Sequence, residues 1–400
     1  MGLIDTYIEY VKPYKGSPRY HEAVALSMVS SMIEKRIWYP KGDMKLYLNQ
    51  YIFLVGGPGT GKTFACDLGT DQIHKYNKSL GPANGGIKFG PNKATPAAFL
   101  HALKRLQKTI KSPAHIFDQS AMYLYTRELS SIIKDIGGGS FADDLLDLYD
   151  MADQDYVKEL VGEGIIKIIR PCLNILACTT PTFLSSFMPR EQSGTGLTAR
   201  ILFANEPKMH EKSYDEVRLD PKLDERIQKH LARLHRTIGA IRRTKESDEF
   251  LKDQDKKSMN KLRDGVLTSF LENFYARKTE HIIKVASAYS LSESSNLTLE
   301  LKHLERAVKF IEEQEKTIYL AFGVSDIRRN ADSSKIILDA IPYHTCIAKD
   351  ALLQKLFGNG LAGTMQEIDG LLTFLSEGNL IECKNMDGIT RYRRIDHEKA

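Results

Sequence analysis

The run Gly56-Gly57-Pro58-Gly59-Thr60-Gly61-Lys62-Thr63 constrains this chain more than any other feature. It fits G-x-x-x-x-G-K-[ST], follows the apolar run Tyr51-Ile52-Phe53-Leu54-Val55, and precedes a helix-compatible segment from Phe64 to Tyr76. Strand, glycine loop and helix, in that order, form the setting in which this motif holds phosphate. Glycines let consecutive backbone N–H groups converge on phosphate oxygens, and the helix N-terminus adds partial positive charge. Lys62 is then expected to reach the β- and γ-phosphates and Thr63 to ligate Mg²⁺, with Gly57, Pro58, Gly59, Thr60, Gly61 and Phe64 completing the contact. The expected ligand is a nucleoside triphosphate.

Composition narrows the setting. A chain of 400 residues suggests about two to three domains. No apolar run reaches the roughly 18 residues of a membrane span. The start, Met-Gly-Leu-Ile-Asp-Thr, lacks the regions of a signal peptide. The cysteines at 66, 172, 178, 346 and 383 are scattered, without a C-x-x-C pair, which points to a reducing compartment, the cytoplasm. The net charge of +5 permits a polyanionic partner without demanding one.

Periodicity divides the chain into four parts. Residues 1–45 read as mostly helical, with an apolar stripe from Tyr20 to Lys35. Residues 46–206 alternate short apolar runs with helical stretches, as α/β domains do; the candidate strands are 51–55, 86–90, 121–125, 172–178 and 200–205. Residues 207–322 lose strand character. Helices are expected near 222–241, 258–276, 279–291 and 300–320, with a charged, mobile connection at Lys245–Lys257. After a polar link, Ser325–Ser333, residues 333–400 read as three helices (333–341, 348–357, 364–377) and two strands (Leu380–Cys383, Ile389–Ile395), a winged-helix arrangement.

Cleaving a γ-phosphate needs a carboxylate beside the attacking water, at the end of a strand next to the phosphate loop. The strand through Met122-Tyr123-Leu124-Tyr125 supplies Glu128, with Asp118 as a rival on a shorter run. Arg127 stands where the usual pattern has Asp. A further strand ends in Thr179-Thr180-Pro181, where a hydroxyl could orient water or sense the γ-phosphate. In Gly196-Leu197-Thr198-Ala199-Arg200-Ile201, Arg200 enters an apolar strand, a costly placement unless it is paired or faces a subunit boundary. It is either an arginine finger for a neighbour's nucleotide or a structural ion pair.

In this order the motifs resemble the AAA+ ATPase module of phage and mobile-element primase-helicases, which are similar to the minichromosome maintenance helicases. The likeness takes in Tyr20-His21-Glu22-Ala23, Asp147-Leu148-Tyr149-Asp150, Tyr275-Ala276-Arg277-Lys278 and His281-Ile282-Ile283-Lys284, and spans roughly residues 20–320. It implies an AAA+ P-loop core (46–206) with an N-terminal helical extension (1–45), a helical lid (207–322) and a winged helix (333–400). It implies ATP and Mg²⁺ as ligands, Glu128 as the catalytic carboxylate, Thr180 as sensor 1, Arg200 as the trans-acting finger and Arg277 as sensor 2 at the start of a lid helix. The implied activity is an ATP-driven DNA helicase, a hexameric ring on single-stranded or forked DNA, served by a primase, initiator or loader. A replication initiator or loader without processive unwinding is the alternative.

Such modules thread DNA past a β-hairpin before sensor 1. Residues 156–170 read as that hairpin, with Lys158 and Lys167 as candidate DNA contacts and Glu163 at the tip. In the last domain, Arg391 and Arg393 on the wing could hold a DNA backbone, whereas Glu367, Asp369 and Glu377 on the third helix would repel one.

Overall fold

The structure is a computed structural model that describes residues 1–14, 16–81, 85–129, 140–160, 162, 164–187, 196–206, 210, 219–263, 269–329, 331–343, 345–358, 365–377, 380–387 and 389–395. The fold is mixed α/β and divides into two units, 1–321 and 322–400. In the first unit a five-stranded sheet forms the centre. Its strands are β1 (Tyr51–Val55), β2 (Gln107–Lys111), β3 (Ile116–Thr126), β4 (Pro171–Thr179) and β5 (Ile201–Asn205), in the spatial order β2-β3-β4-β1-β5. The last four are mutually parallel, and β2 is an antiparallel edge. Every residue of β1, β4 and β5 is buried, which explains why these strands read as unbroken apolar runs: helices cover both faces.

The N-terminal helix Pro18–Ile33 begins at a Ser17 cap, whose hydroxyl accepts the Tyr20 N–H, with proline in the first turn. It is buried on nearly all sides, between the sheet strands β1, β4 and β5 and neighbouring helices. The expectation that 1–45 is mostly helical holds only to Ile33. Ile37–Lys41 and Met44–Tyr47 form a hairpin, joined in parallel by Gly239–Ala240. The expected strand 86–90 shrinks to one bridge, Phe89 to Tyr123, in a stretch that glycines 85, 86 and 90 leave without side chains to pack.

The region after β5 carries helix α2 (Pro221–Arg236), a helix at Lys245–Arg263, helix α3 (Ser269–Glu293) and a helix at Leu301–Arg329. The expected mobile connection at Lys245–Lys257 is therefore helical. Its polarity misled because it buries only a narrow strip, including Leu251 and Ser258, against α3, while pairs such as Asp253 with Lys257 support the outer face. Two-residue strands also occur here, Arg242–Arg243 against Thr298–Leu299. The polar link expected at 325–333 is helical up to Arg329.

The second unit has the order expected from sequence: helices Ala331–Ala340, Lys349–Gly358 and Met365–Glu377, then strands Ile381–Met386 and Ile389–Arg394. Ile347–Ala348 adds a third strand to the hairpin. Ile337, Leu352, Leu356, Leu372, Ile381 and Tyr392 share its core.

Candidate nucleotide site and the arginine cluster

The glycine loop leaves the C-terminal end of β1, where crevices of open α/β sheets take ligands. Gly56 donates its N–H to the Thr179 carbonyl at 3.3 Å, and the Tyr20 hydroxyl donates to Val55 at 2.7 Å. A Cβ on Gly56 would stand 2.2 Å from that hydroxyl, so only glycine fits. Gly61 (φ +88°) lies in the left-handed region and starts helix α1 (Lys62–Leu80) without a side-chain cap. The first-turn N–H groups of α1 are thus left for an anion. Lys62 is buried, and its ammonium donates to the carbonyls of Gly56 and Gly57, both at 2.7 Å. Burial holds its pKa below the ordinary lysine value. Phe64 is exposed and meets Tyr14 edge-on at 5.0 Å.

The ends of β4, β1 and β5 are level, with Val55 opposite both Thr179 and Asn205. Thr180 follows directly, and its hydroxyl accepts the Phe183 N–H at 3.2 Å, capping the helix Pro181–Phe187. The strand bearing Glu128 is not next to the loop strand, as expected, but one strand further out, with β4 between them. Apolar runs carry no record of strand order. Glu128 is tied to its own strand end through the Thr126 hydroxyl, which accepts its N–H at 3.3 Å and donates to its carbonyl at 2.7 Å. Asp118 belongs to the same strand but sits near its other end, where it accepts from Thr109 at 2.6 Å. Arg127 pairs with Asp67 on α1, which also accepts the Tyr125 hydroxyl at 2.6 Å.

Among the described residues no group of three or more His, Cys, Asp or Glu could hold a metal. Asp67, the carboxylate one turn beyond Thr63, is occupied by Arg127 and Tyr125. The Thr63 hydroxyl remains the candidate Mg²⁺ ligand that the motif supplies.

The two candidate arginines meet elsewhere. Arg200 ends a 3₁₀ turn (Thr198–Arg200) just before β5, so it precedes the strand instead of entering it. Its guanidinium binds Asp150 through Nε (3.0 Å) and Nη2, and the Gly196 carbonyl at 2.5 Å. Arg277 binds the same carboxylate at 3.0 and 3.1 Å. It lies two turns inside α3, not at a helix start, because that helix begins at Ser269. Burial works to raise the Asp150 pKa, but the bonds and charges of Arg200 and Arg277 hold it below the ordinary value. His281 is buried under Arg200, with Nε2 placed 2.7 Å from the Ala199 carbonyl. Lys284 is buried as well, bonded to Asn49 at 2.8 Å and set over the Tyr149 ring, with its pKa lowered by burial to about 7.

The position of this cluster follows from register. Ile201 pairs with Tyr51, the first residue of β1, whereas the phosphate loop follows Val55, the last. The cluster and the loop thus occupy opposite ends of β1, about 15 Å apart at ~3.3 Å per residue. Asp150 stood in a run already singled out in the sequence. Its two partners lie 50 and 127 residues away, beyond any local pattern.

The candidate DNA contacts are mostly engaged within the chain. The hairpin forms, Tyr156–Leu160 against Gly164–Ile168, while Glu163 lies outside the described residues. Lys158 turns inward to Asp144 at 2.5 Å, and Lys167 pairs with Asp155 at 2.9 Å but stays exposed. In the second unit Arg393 pairs with Glu382 at 2.6 Å, and the half-buried Arg391 keeps an unpartnered Nε. Asp369 is half-buried and neutralised by Lys349 at 2.8 Å, so it repels less than its sequence suggests; the side chains of Glu367 and Glu377 lie outside the described residues. No described helix is long and apolar enough to cross a membrane. No protein-family model matches the chain, and no curated protein matches it either.

Proposed function

We propose that the chain is an AAA+ ATPase that works as a hexameric ring on DNA, as the helicase of a replicating phage or mobile element. The observation that carries the reading is the division of labour along β1. The phosphate loop stands at one end and Arg200 at the other, which supports a role for Arg200 toward a neighbour's loop and not its own. Head-to-tail rings present one end of a subunit to the other end of the next. Arg277 keeps company with Arg200, so it too would face a neighbour.

In this reading Lys62 leaves the Gly56 and Gly57 carbonyls for the β- and γ-phosphates, and the open N–H groups of α1 hold the phosphate oxygens. Glu128 accepts the proton of the attacking water, Thr180 orients that water from the end of β4, and Arg200 of the next subunit stabilises charge in the transition state. The Thr63 hydroxyl would hold the Mg²⁺ that comes with ATP, and the ion would supply positive charge against the phosphates. Residues 331–395 would act as a winged helix that grips a nucleic-acid backbone or docks a protein.

ATP hydrolysis measured with and without single-stranded DNA, with the assembly mass in ATP, tests this reading. Stimulation by DNA together with a ring mass is the expected result. Absence of hydrolysis would sink it, and hydrolysis without strand displacement on a forked duplex would favour the initiator or loader.

A further inference from the structure

Helix α2 is amphipathic in an unusual way. Its apolar side, Ile227, Leu231 and Leu234, is fully buried against the helices Leu3–Val11, Pro18–Ile33 and α1. On the outer side Lys222, Arg226, Lys229, Arg233 and Arg236 follow at spacings of four, three, four and three residues. At 3.6 residues per turn these five fall within about 80° of arc and run about 21 Å along the axis. All are exposed except Arg233, which is half-buried.

Among the described residues little negative charge answers this stripe. Asp224 turns aside to Lys75 and Gln72, and of the described carboxylates only Glu225 pairs with a member, Lys229, at 2.7 Å in the open. An exposed pair of that kind contributes about 0–1 kcal/mol and opens readily. Lys222, Arg226 and Arg236 have no ion-pair partner among the described residues. The stripe ends in a shallow depression of about 680 Å³, lined among others by Lys229, Arg233, Arg236, Ser295 and Leu297. Arg233 is fixed there by the Leu291 and Ser292 carbonyls, both at 2.7 Å, with its Nη1 left unpartnered. Arg242 donates to the Asn296 carbonyl at 3.1 Å, between the lining residues Ser295 and Leu297 in sequence. Burial, then the charges of Arg233 and Arg226, push the His230 pKa down to about 4, so the imidazole is neutral and adds no charge at pH 7.

We propose that the outer face of α2 is a phosphodiester-binding track, which takes the backbone of a nucleic acid along the stripe and seats a phosphate in the depression. A linear row of like charges on a rigid helix matches a linear polyanion, and its arginines suit phosphate geometry. A membrane surface would need large apolar side chains pointing outward, whereas Ile227, Leu231 and Leu234 of α2 are fully buried and Leu223 is half-buried. The choice of occupant rests on the reading of the chain as a DNA-dependent motor; the site itself is separate from the loop and the arginine cluster.

The test uses the full chain without nucleotide. Binding of labelled single-stranded and duplex DNA is measured from about 50 to 200 mM salt for the native protein and for Lys222→Gln/Arg226→Gln/Lys229→Gln/Arg236→Gln. Arg233 is kept because it holds the α3 end. The variant should melt as the native protein does, bind about tenfold or more weakly, and show a salt slope on single strands shallower by about 3, since each phosphate left without its cation takes away ~0.7. An unchanged slope and affinity would overturn the proposal. So would native protein that binds no DNA, or polyglutamate that displaces DNA at equal charge, which would assign the stripe to an acidic protein. Greater loss on duplex or on single strand tells which form the track carries. If the track binds but Lys62→Ala still hydrolyses ATP, the motor reading fails and the track stands.

Discussion

Removing Arg200 separates a finger from a structural ion pair, because the two roles differ in magnitude and in locality. The side chain is 12% exposed and binds the Asp150 carboxylate and the Gly196 carbonyl. Hydrogen bonds to charged groups contribute about 1.5–3 kcal/mol when buried, but Asp150 is 40% exposed and screening reduces that. Arg200→Ala strands no buried charge, since Arg277 still neutralises Asp150. A stability loss of about 1–2 kcal/mol follows, which for a unit this large lowers Tm by about 2–5 °C. A finger acting in trans predicts something much larger in rate, about 10³–10⁵ in kcat, with ATP binding retained. Mixing Arg200→Ala with Lys62→Ala protein should then restore activity, because in equal mixture about a quarter of head-to-tail interfaces pair an intact Lys62 with an intact Arg200. Gly196→Ala offers a gentler perturbation. A Cβ there would stand 2.4 Å from the Arg200 Nη1, so it displaces the guanidinium without removing it. Its rate should fall between those of the native protein and Arg200→Ala. A melting loss far above about 5 °C, with no rescue on mixing, would refute the trans-acting assignment.

Lys62→Ala should abolish ATP hydrolysis and weaken ATP binding in equilibrium titration; near-native turnover would remove the loop from the chemistry. Glu128→Gln should bind ATP yet fail to hydrolyse it, whereas Asp118→Asn, altered near the far end of the same strand, should hydrolyse normally in a steady-state assay. Stability should fall as pH drops from about 6.5 to 4. His21, His235 and His281 all have folded pKa values lowered by burial to about 4, so the unfolded chain binds more protons in that window. The fully buried His281 alone contributes on the order of 3 kcal/mol, and a flat melting profile across that range would contradict the neutral imidazole. Asp150→Asn should free Arg200 and Arg277 together, with loss of turnover greater than loss of Tm; its depressed pKa keeps the native pairs intact above about pH 4.

What could be read from the chain alone was what repeats locally. β1, the phosphate loop and α1 sit within one residue window, and each carries its own signal: buried run, glycines, helix. The order of helices and strands in the second unit was legible for the same reason. The failures were of two kinds. Lys245–Arg263 is helical through partnership with α3, which no composition window records. Strand order, the pairing of Arg127 with Asp67, and the convergence of Arg200 and Arg277 on Asp150 are long-range facts, fixed by which runs become neighbours in the sheet.

The buried polar groups at the start of β1 have a cost that bears on their role. Lys284 and His281 lose hydration, and both pKa values move toward the neutral form as a result. Apolar residues of similar volume would give a core at least as stable. What the polar set supplies instead is direction. Lys284 fixes Asn49 at the entrance to β1, His281 fixes the Ala199 carbonyl, and Asp150 fixes two guanidinium planes, so Arg200 is held at a defined angle on the face away from its own loop. The five buried residues of β1 join that face to the phosphate loop through a rigid, fully packed strand. In the proposed ring, a shift of the loop on phosphate binding would be felt at the arginines through β1, and each site would be coupled to its neighbour by that strand.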